Sequence, residues 1–321
     1  MKIFSKGYYK HIWKIAVATI MGFINDNGLK LSASLAYYTI FSLAPLLILI
    51  ISIAGLVWGH DAAAHKLYPH LAGYIGSTAA LQIEGILNKL QLSGKSETAV
   101  VIGVIILFLG ASGIFLEIQD SLNIIWRVKA KPKRGWLKLI QNRFLSFSLI
   151  IGLGFLLLVS LTISFIMTGL GAWIEKFMPI TKFFFKGLNF GITFIVITTL
   201  FGIIFKFLPD VKIKWRDVRS GALFTAILFM VGQHMINLYI QYSAKSSTYV
   251  AVGSILVVLV WIYYTAAILY IGAEYTQVYA EASGSKIEPA DYAVYIQQTE
   301  VEQVVTDLPP QNPELSVKAG E

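Results

Sequence analysis

Six stretches of this chain run for about twenty residues or more with at most one Asp, Glu, Lys or Arg each, at about 34–58, 98–118, 144–170, 188–208, 219–240 and 253–275. Roughly 20 apolar residues in a helix cover the hydrocarbon core of a bilayer. In that solvent every backbone N–H and C=O must be satisfied within the protein, and runs of this length do so as helices. A soluble core is excluded by composition: 56% of the 321 residues are hydrophobic and 14% charged, with mean hydropathy +0.68, too little polar surface to coat a water-soluble molecule. The expected fold is all-α, a polytopic membrane protein with six transmembrane helices.

Lysine and arginine between the runs set the orientation. Lys2, Lys6, Lys10, Lys14 and Lys30 precede the first run; Arg127, Lys129, Lys131, Lys133, Arg134, Lys138 and Arg143 follow the second; Lys206, Lys212, Lys214, Arg216 and Arg219 lie around the fourth loop. The alternate loops are poorer in basic residues, so both termini are expected in the cytoplasm. The basic loops would then attract anionic lipid headgroups.

Three regions follow. Residues 1–30 form a basic amphipathic segment, with lysines every four residues and Phe4, Tyr8, Ile12 and Ile15 on the other side of the helical projection. Residues 31–282 form the six-helix domain, whose long outer loop, about 59–97, reads as one or two amphipathic helices. Residues 283–321 form an acidic, proline-bearing tail expected to be mostly disordered and suited to recruiting a cytoplasmic protein.

Several runs carry polar residues that lipid should reject. In "SLAYYTIFSLAPLLILI", Ser34, Tyr38 and Ser42 share one helical face, and Pro45 continues it while freeing a carbonyl that needs another partner. The second run ends in Gly110, Gly113, Glu117 and Asp120, a small-residue patch leading to two carboxylates. The fifth sets Gln233, Asn237 and Gln241 on one face beside His234. The sixth aligns Tyr263, Tyr270, Glu274 and Gln277, and Glu274 needs solvent, a proton or a cation. Arg143 and Lys206, at similar expected depth, are its candidate partners. These stripes line either an inward-opening polar cleft or hydrogen-bonded packing seams.

Signs of catalysis are lacking. "WGHDAAAHKLYPH" offers His60, Asp61, His65 and His70, but five-residue spacing turns successive histidines by about 140° around a helix, unlike the i, i+4 pair of a zinc helix. No phosphate-cradling glycine loop or nucleophile elbow is present. Cysteine is absent, which removes thiolate chemistry. No catalytic residue, metal or cofactor is expected, and the basic loops are explained by topology without invoking nucleic acid.

Three motifs occur in order: "LSASLAYYTIFSLAPLL", "GASGIFLEIQDSLNIIW" and "GSILVVLVWIYYTAAILYIGAEYTQ". Together they resemble the YihY/BrkB family over roughly residues 20–282. The resemblance implies a six-span bacterial inner-membrane protein. The family's ribonuclease BN-like label belongs to an unrelated soluble metal enzyme, whose histidine motif has no counterpart here. Family members have been linked to serum resistance and to export of lipopolysaccharide precursors, so the resemblance implies transport or flipping of a lipid-linked or amphipathic anion. A non-transporting membrane scaffold and a membrane-bound ribonuclease are the alternatives, the latter disfavoured.

Overall fold

The structure, a computed structural model, describes residues 6–41, 113–131, 148, 152, 181–243 and 250–297. Helix α1 (Lys6–Asn25) turns at Asp26 and Asn27 into α2, residues 28–41. Helix α3, residues 113–125, leads into strand β1 (Val128–Ala130). Helix α4 (Thr181–Phe207) is followed by β2 (Val211–Lys212), α5 (Trp215–Ser243) and α6 (Val250–Ala282). The chain then forms β3 (Glu288–Pro289) and β4 (Ala293–Tyr295). The described residues are thus mostly helical. Of the third expected run only residues 148 and 152 are among them, and the outer loop at 59–97 lies outside.

The helices are built for an apolar surround. In α4, Phe190–Phe207 is long and apolar enough to cross a membrane, and only 22% of it is buried within the molecule. Several threonine hydroxyls along the helices are satisfied four residues back, as in Thr198 to the Phe194 carbonyl (2.7 Å) and Thr39 to that of Leu35 (2.7 Å), so these carry no unmet donor into lipid.

Apolar side chains gain little by leaving lipid for a protein interface, so helices must associate by close fit. Between α5 and α6 that fit is a reciprocal glycine–threonine seam. Gly221 faces Thr276 and Gly272 faces Thr225. The Thr225 hydroxyl donates to the Gly221 carbonyl and that of Thr276 to the Gly272 carbonyl, each at 2.7 Å. Each threonine occupies the space that the opposite glycine leaves, and the residue order makes the helices antiparallel. An aromatic ladder joins the other elements: Trp126 meets Phe205 at 6.3 Å, Phe201 meets Phe229 at 5.9 Å, and Phe229 meets Trp261 at 6.3 Å. Such pairs contribute about 0.5–1.5 kcal/mol each beyond burial.

Helix α1 forms as its periodicity predicts, but it is more than a surface float. It packs against α6 through Thr19, Gly22 and Phe23, while Trp13, Val17, Ile20 and Ile24 make an exposed apolar stripe on another face.

The end of the chain adds two features: short strands join the helices, and the described structure continues past residue 283 to 297. Helix α6 stops at a Gly284 with φ +70°: Ser285 N–H donates to the Ala280 carbonyl (2.8 Å) and Gly284 N–H to that of Glu281 (3.0 Å), closing the last turn with a left-handed glycine. The chain then doubles back across two loops. Strand β4 pairs antiparallel with β1, Val128 opposite Tyr295, and β3 pairs antiparallel with β2, Val211 opposite Pro289. This clasp is fastened by Ala290 N–H to the Asp210 carbonyl (3.0 Å), Ile296 N–H to that of Arg127 (2.8 Å), and the Tyr292 hydroxyl to Asp210 Oδ1 (2.8 Å). This segment carries Ile287, Val294 and Ile296 among its polar residues, packs Ile287 against the core and completes backbone hydrogen bonds left open by the loops. Residues 298–321 lie outside the described part.

Candidate functional site

The clasp end of the bundle holds the concentration of buried polar side chains. Asp26 sits in the α1–α2 turn, where Asn27 takes φ 54° and lets the chain reverse. Arg127 follows α3 and itself has φ 57°, an uncommon conformation for a side chain of this size. From there its Nη2 reaches Asp26 Oδ1 at 2.5 Å, with the arginine side chain 28% exposed and the aspartate 5%. Burial raises the Asp26 carboxyl above its ordinary value, and Arg127 opposes that shift.

Glu274 of α6 enters the same cluster. It is 3% exposed, and its carboxyl meets that of Asp26 within the electrostatic reach of Arg127. Gly22, one helical turn before Asp26, makes this approach possible: a Cβ there would lie 2.5 Å from Glu274 Oε2. The other oxygen, Oε1, is buried with no hydrogen-bond partner among the described residues. One turn back on α6, Tyr270 is fully buried, with its hydroxyl close to that of Ser121 in α3; neither forms a well-made hydrogen bond among the described residues. Glu117, one turn from Ser121, is within electrostatic reach of Tyr270. Two carboxyls, a guanidinium and two hydroxyls thus gather where α1, α3 and α6 meet, and Trp126 Nε1 pins α3 to the Ala273 carbonyl beside them at 3.1 Å.

A second polar junction anchors the clasp. Asn123 Nδ2 donates to Asp210 Oδ2 while the Asp210 N–H donates to Asn123 Oδ1, both at 2.9 Å. Asp120, whose side chain reaches solvent on α3, faces Glu117 and Asp210, and partial desolvation together with these two acids raises its carboxyl above the ordinary value. Beside the clasp, an open groove of about 400 Å³ is lined by Lys212, Ile213, Lys214, Gly284, Lys286 and Glu288. Trp215 borders it, stacked edge-on with Phe207 at 5.9 Å and with the Lys206 ammonium 5.6 Å from its ring centroid.

The sequence-derived residues divide accordingly. Glu117, Tyr270 and Glu274 enter the α1–α3–α6 cluster, and Asp120 the junction beside it. Lys206 is not the partner of Glu274: its ammonium is held by the Ile213 carbonyl at 2.5 Å, and the guanidinium within electrostatic reach of Glu274 is that of Arg127. Ser34 is half-buried; Tyr38 is 43% exposed and lies 3.7 Å from the position a Cβ on Gly113 would occupy, so α2 and α3 touch there. Gln233 and Tyr263 are half-buried on α5 and α6, away from the cluster's named contacts, and His234 is exposed. Asn237 and Gln241 lie on α5. Ser42, Pro45, Arg143 and the histidines at 60, 65 and 70 lie outside the described residues. Asp26, Arg127 and Ser121 were missed as site residues. The available signal was position, since Asp26 and Arg127 flank the runs at the depth of Glu274, and Ser121 is four residues beyond Glu117.

A family model described as Virulence factor BrkB matches residues 19–293. A "UPF0761 membrane protein" of Verminephrobacter eiseniae is 28% identical over 274 residues, covering 82% of this chain and 62% of the relative. One of Idiomarina loihiensis is 27% identical over 292 residues, covering 88% of this chain and 97% of the relative. The ribonuclease-like protein YfkH of Bacillus subtilis is 24% identical over 252 residues, covering 77% and 88%. The chain spans about three fifths of the Verminephrobacter relative and of a similar protein of Methylibium petroleiphilum, at 62% and 61%. No solved structure matches the chain.

Proposed function

Given that this chain belongs to the Virulence factor BrkB family of membrane proteins, we propose that it is a six-span transporter of the bacterial inner membrane that moves an amphipathic or lipid-linked anion. The observation that carries this reading is the Asp26–Arg127–Glu274 cluster, three ionisable side chains gathered under α1 with a carboxyl oxygen lacking a partner among the described residues. Burying charges costs several kcal/mol each, and well-packed apolar replacements of buried ion pairs are often neutral or stabilising. A bundle that only had to hold together would not need them. Buried ionisable groups close to the membrane boundary fit the mouth of an ion or substrate route.

The groove beside the clasp supports the anionic character of the cargo. Lys214 and Lys286 line it with Glu288 and with Lys212, whose ammonium is paired with Asp291, and Trp215 follows Lys214 in the chain as an aromatic suited to the interface. An anionic headgroup would gather there while its tail stayed in lipid.

Reconstitution into liposomes containing fluorescent anionic lipids tests the reading. Protein-dependent flux above that of empty liposomes is expected, with a loss of tenfold or more in Arg127→Gln. Equal flux in empty and protein-containing vesicles across several anionic lipids would overturn it.

A further inference from the structure

Two acids and one base occupy the cluster where α1 meets α6. With one proton between Asp26 and Glu274, the three side chains are electrically neutral together, the state that burial favours. Without it, a net negative charge is left under α1. A proton shared between the two carboxyls makes their contact attractive, whereas with both ionised they repel each other and only Arg127 offsets it. The fit is also specific, since Gly22 leaves the space into which Glu274 Oε2 projects. Glu274 Oε1, on a side chain 97% buried by its 3% exposure, has no partner among the described residues, so the cluster has hydrogen-bonding capacity that the rest of the fold does not use.

We propose that Asp26 and Glu274 form a single-proton binding site, with Arg127 as its fixed counter-charge and its opening to water. The charged groups facing Glu274 are Asp26 from the α1–α2 turn and Arg127 from the end of α3; on α6 the neighbouring polar group is Tyr270, which in turn feels Glu117 of α3. The proton passes between solvent and the carboxyl pair at the edge where Arg127 is exposed, and no other bond is made or broken. Its departure turns an attractive carboxyl contact into a repulsive one between α1 and α6. The site is therefore a coupling point, in which proton occupancy governs how closely α1 closes over the bundle. The role of this proton as the coupling ion rests on the transport reading; its binding does not.

The test is isotope-edited infrared spectroscopy of the full chain in lipid nanodiscs, following the protonated carboxyl band across a pH series. One band is expected at neutral pH that titrates as a single proton and shifts on ¹³C labelling of glutamate or aspartate. Asp26→Asn and Glu274→Gln should each abolish it, because either change removes the shared proton, whereas Arg127→Lys should retain it. Absence of the band from the wild-type protein at neutral pH, or its survival in both acid variants, would overturn the proposal, and the wild-type titration decides alone if a variant fails to fold. A titration that responds to sodium at constant pH would likewise overturn it in favour of a metal cation. Flux without the titrating band leaves transport standing and removes the proton site; the band without flux does the reverse.

Discussion

Gly22 has no side chain, and Glu274 uses the room. The same economy at single positions explains why Arg127 adopts a left-handed backbone: from there its guanidinium meets Asp26, and an ion pair at 2.5 Å compensates for a conformation that costs about 1–2 kcal/mol. Asp120 is the contrasting case, an acid held beside two others, Glu117 and Asp210. Burial first, then Glu117 and Asp210, raises its carboxyl above the ordinary 3.8. Its contribution to stability is therefore fully present below pH 3.8 and is lost as pH rises through the folded-state value, so at neutral pH the ionised side chain opposes folding. Asp120→Asn should raise the melting temperature at neutral pH, by less than about 1 kcal/mol equivalent because the side chain is exposed. The gain should shrink as pH is lowered toward 3.8. A pH series of thermal unfolding in detergent checks this, and an unchanged or lowered melting temperature at neutral pH would show that the neighbouring acids do not repel it.

Between elements, the decisive contacts are those that substitute for the missing hydrophobic drive. The glycine–threonine seam lets α5 and α6 approach because neither glycine presents a Cβ; one on Gly221 would fall 2.9 Å from Thr276 Cβ, and one on Gly272 2.9 Å from Thr225 Cβ. Neither β-branched side chain has a free rotamer to retreat into while its hydroxyl is bonded within its own helix. Gly221→Ala and Gly272→Ala should each destabilise by about 1–3 kcal/mol, the usual range for overpacking, measured by thermal unfolding in detergent. Gly187→Ala, where a Cβ meets open space, should be neutral or slightly stabilising. The long helices α4 to α6 were legible because lipid demands long apolar runs, and Tyr270 and Glu274 were legible because lipid rejects them. The clasp was not. Its strands are two or three residues long, too short for any period of alternation, and β3 and β4 pair with segments far back in the chain. Arg127 was hidden for a different reason: seven basic residues from Arg127 to Arg143 answer equally well to the positive-inside rule, and only the fold shows that Arg127 reaches Asp26. A truncation designed to remove the acidic tail alone must accordingly begin after Gln297, since one beginning at Gly284 also removes β3, β4 and the Tyr292–Asp210 bond.

For the molecule as a whole, helix length divides membrane from water. Helix α6 has 33 residues and extends about 50 Å, well beyond the roughly 30 Å of hydrocarbon. A helix of this length tilts or projects from the bilayer, and its final turns carry Tyr275 and Tyr279, the former stacked on Phe224 at a centroid distance of 4.1 Å. Aromatic rings with polar tips favour the headgroup level, which puts the clasp just outside it and the Asp26–Glu274 cluster near the boundary, within reach of both water and lipid. Basic side chains crowd this same end, among them Lys212, Lys214, Arg216 and Lys286. Because cytoplasmic loops accumulate lysine and arginine, the clasp end should face the cytoplasm. The cysteine-free sequence makes the test clean: a single cysteine placed at Lys214 or Lys286, both exposed, is the sole thiol in the chain. A membrane-impermeant maleimide should leave either variant unlabelled in intact spheroplasts and label it after permeabilisation. Labelling in intact spheroplasts would invert the topology and put the groove, the clasp and the exposed edge of the proton site on the outer face, where an anionic cargo would be met after crossing instead of before.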